Sequence, residues 1–121
     1  MKRDMEIVRK ILLAIEETAH GFAGRDFKLE GYTDEKVRYH VYIMMEAGLL
    51  CGAKTTHQGS QSPQAIPRSL TWAGHEFLDA ARDDTRWAKV MEEVKNFGGA
   101  VTIAVLTELL VRAMKHQLGL A

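Results

Sequence analysis

One cysteine and no long apolar run stand in this sequence, and each scarcity removes a class of protein. Cys51 alone cannot form an internal disulfide, and a single thiol fits a reducing compartment. No stretch approaches the roughly 20 apolar residues of a membrane-spanning helix. The opening MKRDMEIVRK alternates charged and apolar residues, unlike a signal peptide. A cytoplasmic protein with no membrane partner is expected. Excess charge of one sign is lacking too: 16 basic residues meet 16 acidic ones, so no overall field draws the chain to nucleic acid. Binding to DNA would rest on a local patch.

Chemistry-bearing motifs are equally sparse. His20, His57, His75, His116 and Cys51 are scattered singly, without the paired spacing of metal ligands. Gly98-Gly99 lacks the lysine of a phosphate-binding loop. Asp79, Asp83 and Asp84 cluster at a helix break, where capping the next helix accounts for them. The expectation is therefore no metal, no cofactor, no catalytic residue and no enzyme.

What is present is helical periodicity. The length of 121 residues, with 46% hydrophobic and 26% charged, fits one compact domain with its own core. The organising stretch is GYTDEKVRYHVYIMMEAGLL, residues 31–50. Thr33 or Asp34 can cap a helix whose core face carries Val37, Val41, Met44 and Gly48, with His40 beside them as a hydrogen-bonded core histidine. Its opposite face carries Glu35, Tyr39, Tyr42, Ile43 and Glu46.

Before it, Ile7, Val8, Ile11, Leu12 and Ile15 predict a helix over residues 4–17 capped by Asp4. Alternation of Phe27 and Leu29 with polar neighbours suggests a short strand over 26–30. After Gly48 a hairpin with a mobile tip, TTHQGSQSPQAIP, is expected, returning over about 65–70 to a helix capped by Thr71. Two further helices follow, over about 84–96 and 102–118. The last has an apolar arc about twice the roughly 100° of a one-sided helix, so it needs cover on more than one side. Gly119 can close it.

The residues AIPRSLTWAGHEFLDAARDDTRW, 65–87, together with MKRDMEIVRKILLAIEE and YHVYIMMEAGLL, resemble the YjcQ-like family of bacteria and their phages. That resemblance implies a winged-helix-like fold and brings no catalytic residue or substrate to carry over. The expected fold class is accordingly mainly α with a small β-hairpin, α+β, a winged-helix-like core with a two-helix C-terminal extension. As a single domain it divides into a core over 1–82, with the wing at about 49–70, and an extension over 83–121. The order is that of a winged helix with one helix missing, because residues 18–30, with Gly21 and Gly24, leave little room for the helix that positions the recognition helix.

Two binding readings follow. In the first, a DNA-binding regulator contacts phosphates of double-stranded DNA with Lys36 and Arg38 of the central helix and Lys54 and Arg68 of the hairpin, with Lys2, Arg3, Arg9 and Lys10 as further cations. Two basic residues against three acidic ones leave the central helix with a net −1, the wrong sign for phosphate. In the second, an adaptor or inhibitor binds a host protein through Tyr39, Tyr42 and Ile43, unless the C-terminal helices cover them. A homodimer is expected as well, with Val105, Leu109 and Val111 among its contacts.

Overall fold

The computed structural model of the chain describes residues 1–120. Its first helix, α1 (Met5–Glu16), starts at the residue able to cap it, where the Asp4 carboxylate accepts the Glu6 N–H at 2.9 Å. Ile7, Val8, Ile11, Leu12 and Ile15 are buried along one stripe. The second helix, α2 (Asp34–Glu46), is capped by Thr33, whose hydroxyl accepts the Lys36 N–H, and it buries Val37, His40, Val41 and Met44. Gly48, at φ +77°, ends it in the left-handed turn that glycine adopts without a Cβ penalty.

Strands β1 (Leu50–Lys54) and β2 (Ala65–Leu70) pair antiparallel, and α1, α2 and this hairpin pack on one another. The register runs Leu50 to Leu70 and Cys51 to Ser69, then jumps to Gly52 opposite Pro67, which leaves Arg68 as the extra residue of a bulge. Gly52 is required there, because a Cβ would run into the Ile66 carbonyl oxygen.

The strand expected over 26–30 is absent. Its alternation is real, since Phe27 and Leu29 are half-buried while Asp26, Lys28 and Glu30 are exposed. What it lacks is a ladder. Pro67 has no N–H to offer, and the bulge interrupts the pairing edge beside it. One bond, from Ala23 N–H to the Arg68 carbonyl at 2.7 Å, ties this loop to β2, and the rest closes in turns such as Phe27 N–H to Gly24 O.

The helix α3 (Trp72–Ala81) shows why its leading residues are Thr-x-x-Gly. The Thr71 hydroxyl donates to the Gly48 carbonyl at 2.5 Å and accepts the Gly74 N–H at 3.0 Å, capping α3 and fastening it to the end of α2. Gly74 lies so close to Leu49 that any Cβ would strike the Leu49 carbonyl oxygen.

The chain divides into two compact units, Met1–Glu76 and Phe77–Ala121. In the second, α4 (Asp84–Asn96) is capped by Asp83, which accepts the Arg86 N–H at 2.7 Å, as the acidic cluster suggested. It buries Trp87, Val90 and Val94. Gly98 and Gly99, at φ +111° and +81°, end it, and α5 (Ile103–Gln117) packs back on α4. Among the described residues the fold is thus five helices and one hairpin, the α+β class expected. No helix in them is long and apolar enough to cross a membrane.

Candidate functional site

The first turn of α2, beside the hairpin tip, is polar. Arg38, Asp34 and Glu35 border a cleft of about 310 Å³ closed by Gln61, Ser62 and Gln64 of the hairpin tip. Ser62 Oγ donates to Glu35 Oε2 at 2.9 Å, so the tip is pinned to the first turn of the helix. The tip also bonds to itself: Thr55 N–H to Gln64 O at 2.9 Å, Gln64 N–H to Thr56 Oγ1 at 2.9 Å, His57 N–H to Ser60 Oγ at 3.0 Å, and Gln64 Nε2 to Ser60 Oγ at 2.8 Å. A segment whose Gly and Pro content suggested a mobile end therefore carries its own hydrogen-bond network. Its Ser, Thr and Gln side chains supply what a sheet ladder would otherwise provide.

The four candidate DNA contacts are spread over this unit. Lys54 and Arg68 are exposed on the two strands, while Lys36 and Arg38 are half-buried on α2. Lys54 Nζ sits 5.0 Å from the centroid of the Tyr42 ring, a cation–π contact that sequence spacing did not reveal. Arg9 is buried, at 6% exposure, and so is unavailable to phosphate. Lys10 bonds the Tyr32 hydroxyl at 3.2 Å, which raises the Lys10 pKa.

The expected aromatic face is partly covered. Tyr39, Tyr42 and Ile43 are each half-buried rather than free in water. Tyr42 lies under Lys54 toward the hairpin, while Tyr39 stands edge-on to the His40 ring with centroids 5.7 Å apart.

His40 is a core histidine, fully buried. Its Nδ1–H donates to the Lys36 carbonyl at 2.7 Å and its Nε2 accepts the Asp4 N–H at 2.9 Å, which joins α2 to the N-terminus of α1 and fixes a neutral ring. Burial lowers its pKa, against the opposing pull of the Lys36 carbonyl. Cys51 is free and exposed, and no three His, Cys, Asp or Glu side chains among the described residues could share a metal ion.

In the second unit only Leu106 and Leu110 of α5 are buried. Val105 is 47% exposed, and Leu109 and Val111 are half-buried. Val105 and Leu109 share a hollow with Val94, Phe97 and Val101, whereas Val111 points about 200° around the helix from Leu109 and does not join them.

The family model described as Hypothetical protein (DUF2513) matches residues 2–100. The chain belongs to this family. The matched span takes in α1 through α4 and stops before α5. A member-like relative in Haemophilus influenzae (strain ATCC 51907 / DSM 11121 / KW20 / Rd), an uncharacterized protein, is 36% identical over 98 residues, covering 79% of this chain and 80% of its own. No solved structure matches the chain.

Two groups of this DUF2513 chain were missed by sequence reasoning. Glu35 falls on the face of α2 opposite its core residues, yet it anchors Ser62. Arg86 stands out in no sequence pattern, but it is 8% exposed and closes the end of α3: Nε donates to the Ala80 carbonyl at 2.8 Å, Nη2 to the Asp79 carbonyl at 3.2 Å and Nη1 to Gln117 at 2.6 Å. Its place in the first turn of α4, just after α3 ends and leaves carbonyls without partners, was the available signal.

Proposed function

We propose that this chain is a non-enzymatic, macromolecule-binding protein of winged-helix type that acts in the cytoplasm as a DNA-binding regulator of phage or mobile-element character. The hairpin and α2 meet the duplex. The supporting observation is the charge and order of the hairpin: between Cys51 and Leu70 there are Lys54 and Arg68 and no carboxylate, and the tip is already held by its own hydrogen bonds. A pre-formed loop loses little further entropy on binding. Lys54 and Arg68 supply phosphate contacts, Arg38 and the Ser and Gln groups of the cleft add hydrogen bonds, and Lys36 contributes charge from α2. Fluorescence anisotropy with a labelled duplex tests this. Affinity should fall as salt rises, with a log–log slope of roughly −0.9 per neutralised phosphate. Absence of binding to any duplex at low salt would remove the reading.

A second reading has its own support. Asp34 and Glu35 border the cleft, and the segment from Thr33 to Ala47 holds two basic against three acidic residues. An acidic surface with Tyr39, Tyr42 and Ile43 beside it fits a protein partner, such as a host protein bound by an adaptor or inhibitor, better than phosphate. Under this reading duplex DNA is not bound at any salt concentration, so the same titration separates the two.

A further inference from the structure

We propose that the groove between α4 and α5 is a docking surface for a second copy of this chain, related by a twofold axis passing close to Leu109. Two adjoining hollows carry the argument. One, of about 270 Å³, is apolar and lined by Val94, Phe97, Ala100, Val101 and Val105, and the other, of about 390 Å³, is bordered by Lys89, Val90, Arg112, Ala113 and His116. Glu93 and Leu109 line both, so they mark the boundary between the halves. Phe97 stands 90% exposed at the apolar end, a knob with nothing over it.

A twofold contact must bring one patch against itself in reverse. Turned about Leu109, the apolar half of one copy lies over the cationic half of the other. Phe97 then enters the hollow bordered by Lys89, Arg112 and His116 of the second copy, where an aromatic face meets the Lys89 and Arg112 cations. The charges agree with the same operation. Glu108 and Arg112 are exposed one turn apart on α5, and their side chains make no bond to each other or to any other described residue. An antiparallel pairing of the two α5 helices centred at the level of Leu110, one residue on from Leu109, sets Glu108 opposite Arg112 of the second copy, twice per dimer. Val105 and Leu109 become buried, and Val111, on the far side of α5, does not take part.

Charge reversal tests the geometry. Sedimentation equilibrium of the full chain from about 1 to 100 µM should give a species of twice 13.6 kDa. Glu108→Arg and Arg112→Glu should each weaken the dimer about tenfold or more, because like charges then face each other, and the double variant should regain it. Phe97→Ser should weaken it as well. All three sites are exposed, so far-UV circular dichroism should stay unchanged and a misfolded variant would be recognised. A parent that remains at 13.6 kDa throughout, a dimer indifferent to both single reversals, or a double reversal that restores nothing would each overturn the proposal.

Discussion

In the hairpin tip the polar groups bond to one another and to Glu35, whereas along the α4–α5 groove Phe97 and Val105 lie open to water with no such partner. The first surface is finished within the chain and offers exposed Lys54 and Arg68; the second is unfinished. Exposed polar groups that already have partners cost little and leave charge free to act at a distance. Apolar side chains left in water gain from being covered, by roughly 25 cal/mol for each Å² removed. Under the two proposals the surfaces take different ligands, a polyanion for one and a second copy of the chain for the other.

The largest effect should come from breaking the buried side of α5 and sparing the open one. Leu106→Asp or Leu110→Asp puts a charge where exposure is zero and should cost upward of about 4 kcal/mol, enough to unfold the domain. Val105→Asp, on the open side of the same helix, should change monomer stability by less than about 0.5 kcal/mol. Thermal melting of the three variants makes the comparison. Equal losses would mean that α5 has no open side.

In the first unit, Gly74→Ala should cost about 1–3 kcal/mol, since the added methyl meets the Leu49 carbonyl and the helix must back away from the α2 end. Denaturant melting with an unchanged midpoint would contradict the close approach. This position also shows what was legible in the sequence. Thr71 announced a helix cap through its residue type, whereas the close approach of Leu49 that requires glycine at position 74 shows only in the fold. The strand over 26–30 was misread because alternation reports which side chains are buried and says nothing of whether a neighbouring backbone can donate. Lys54 over Tyr42 and Ser62 on Glu35 join residues 12 and 27 positions apart, beyond the reach of any local pattern. The same holds for Arg86, whose burial depends on carbonyls freed by the end of another helix.

A smaller effect should follow from pH. His40 is neutral in the folded chain with its pKa lowered by burial, while the unfolded chain titrates near the ordinary 6.5. Above that value both states are neutral and the contribution of His40 is complete. As pH falls below it, the unfolded chain takes up the proton first, and stability declines until the folded pKa is passed. Chemical denaturation should thus give a lower midpoint at pH 5 than at pH 7. A His40→Met variant should lose about 1–3 kcal/mol at pH 7, by leaving the Asp4 N–H without a partner, and should show a shallower decline. An identical decline in parent and variant would assign the pH effect to other groups.

The claim that the hairpin meets phosphate is tested most directly by the salt dependence of duplex binding in the parent and in a Lys54→Ala, Arg68→Ala double variant. Both side chains are exposed, so the fold should persist. Two lost phosphate contacts should weaken binding at low salt and flatten the log–log slope by roughly 1.8. An unchanged slope, or a parent that binds no duplex at low salt, would contradict the account.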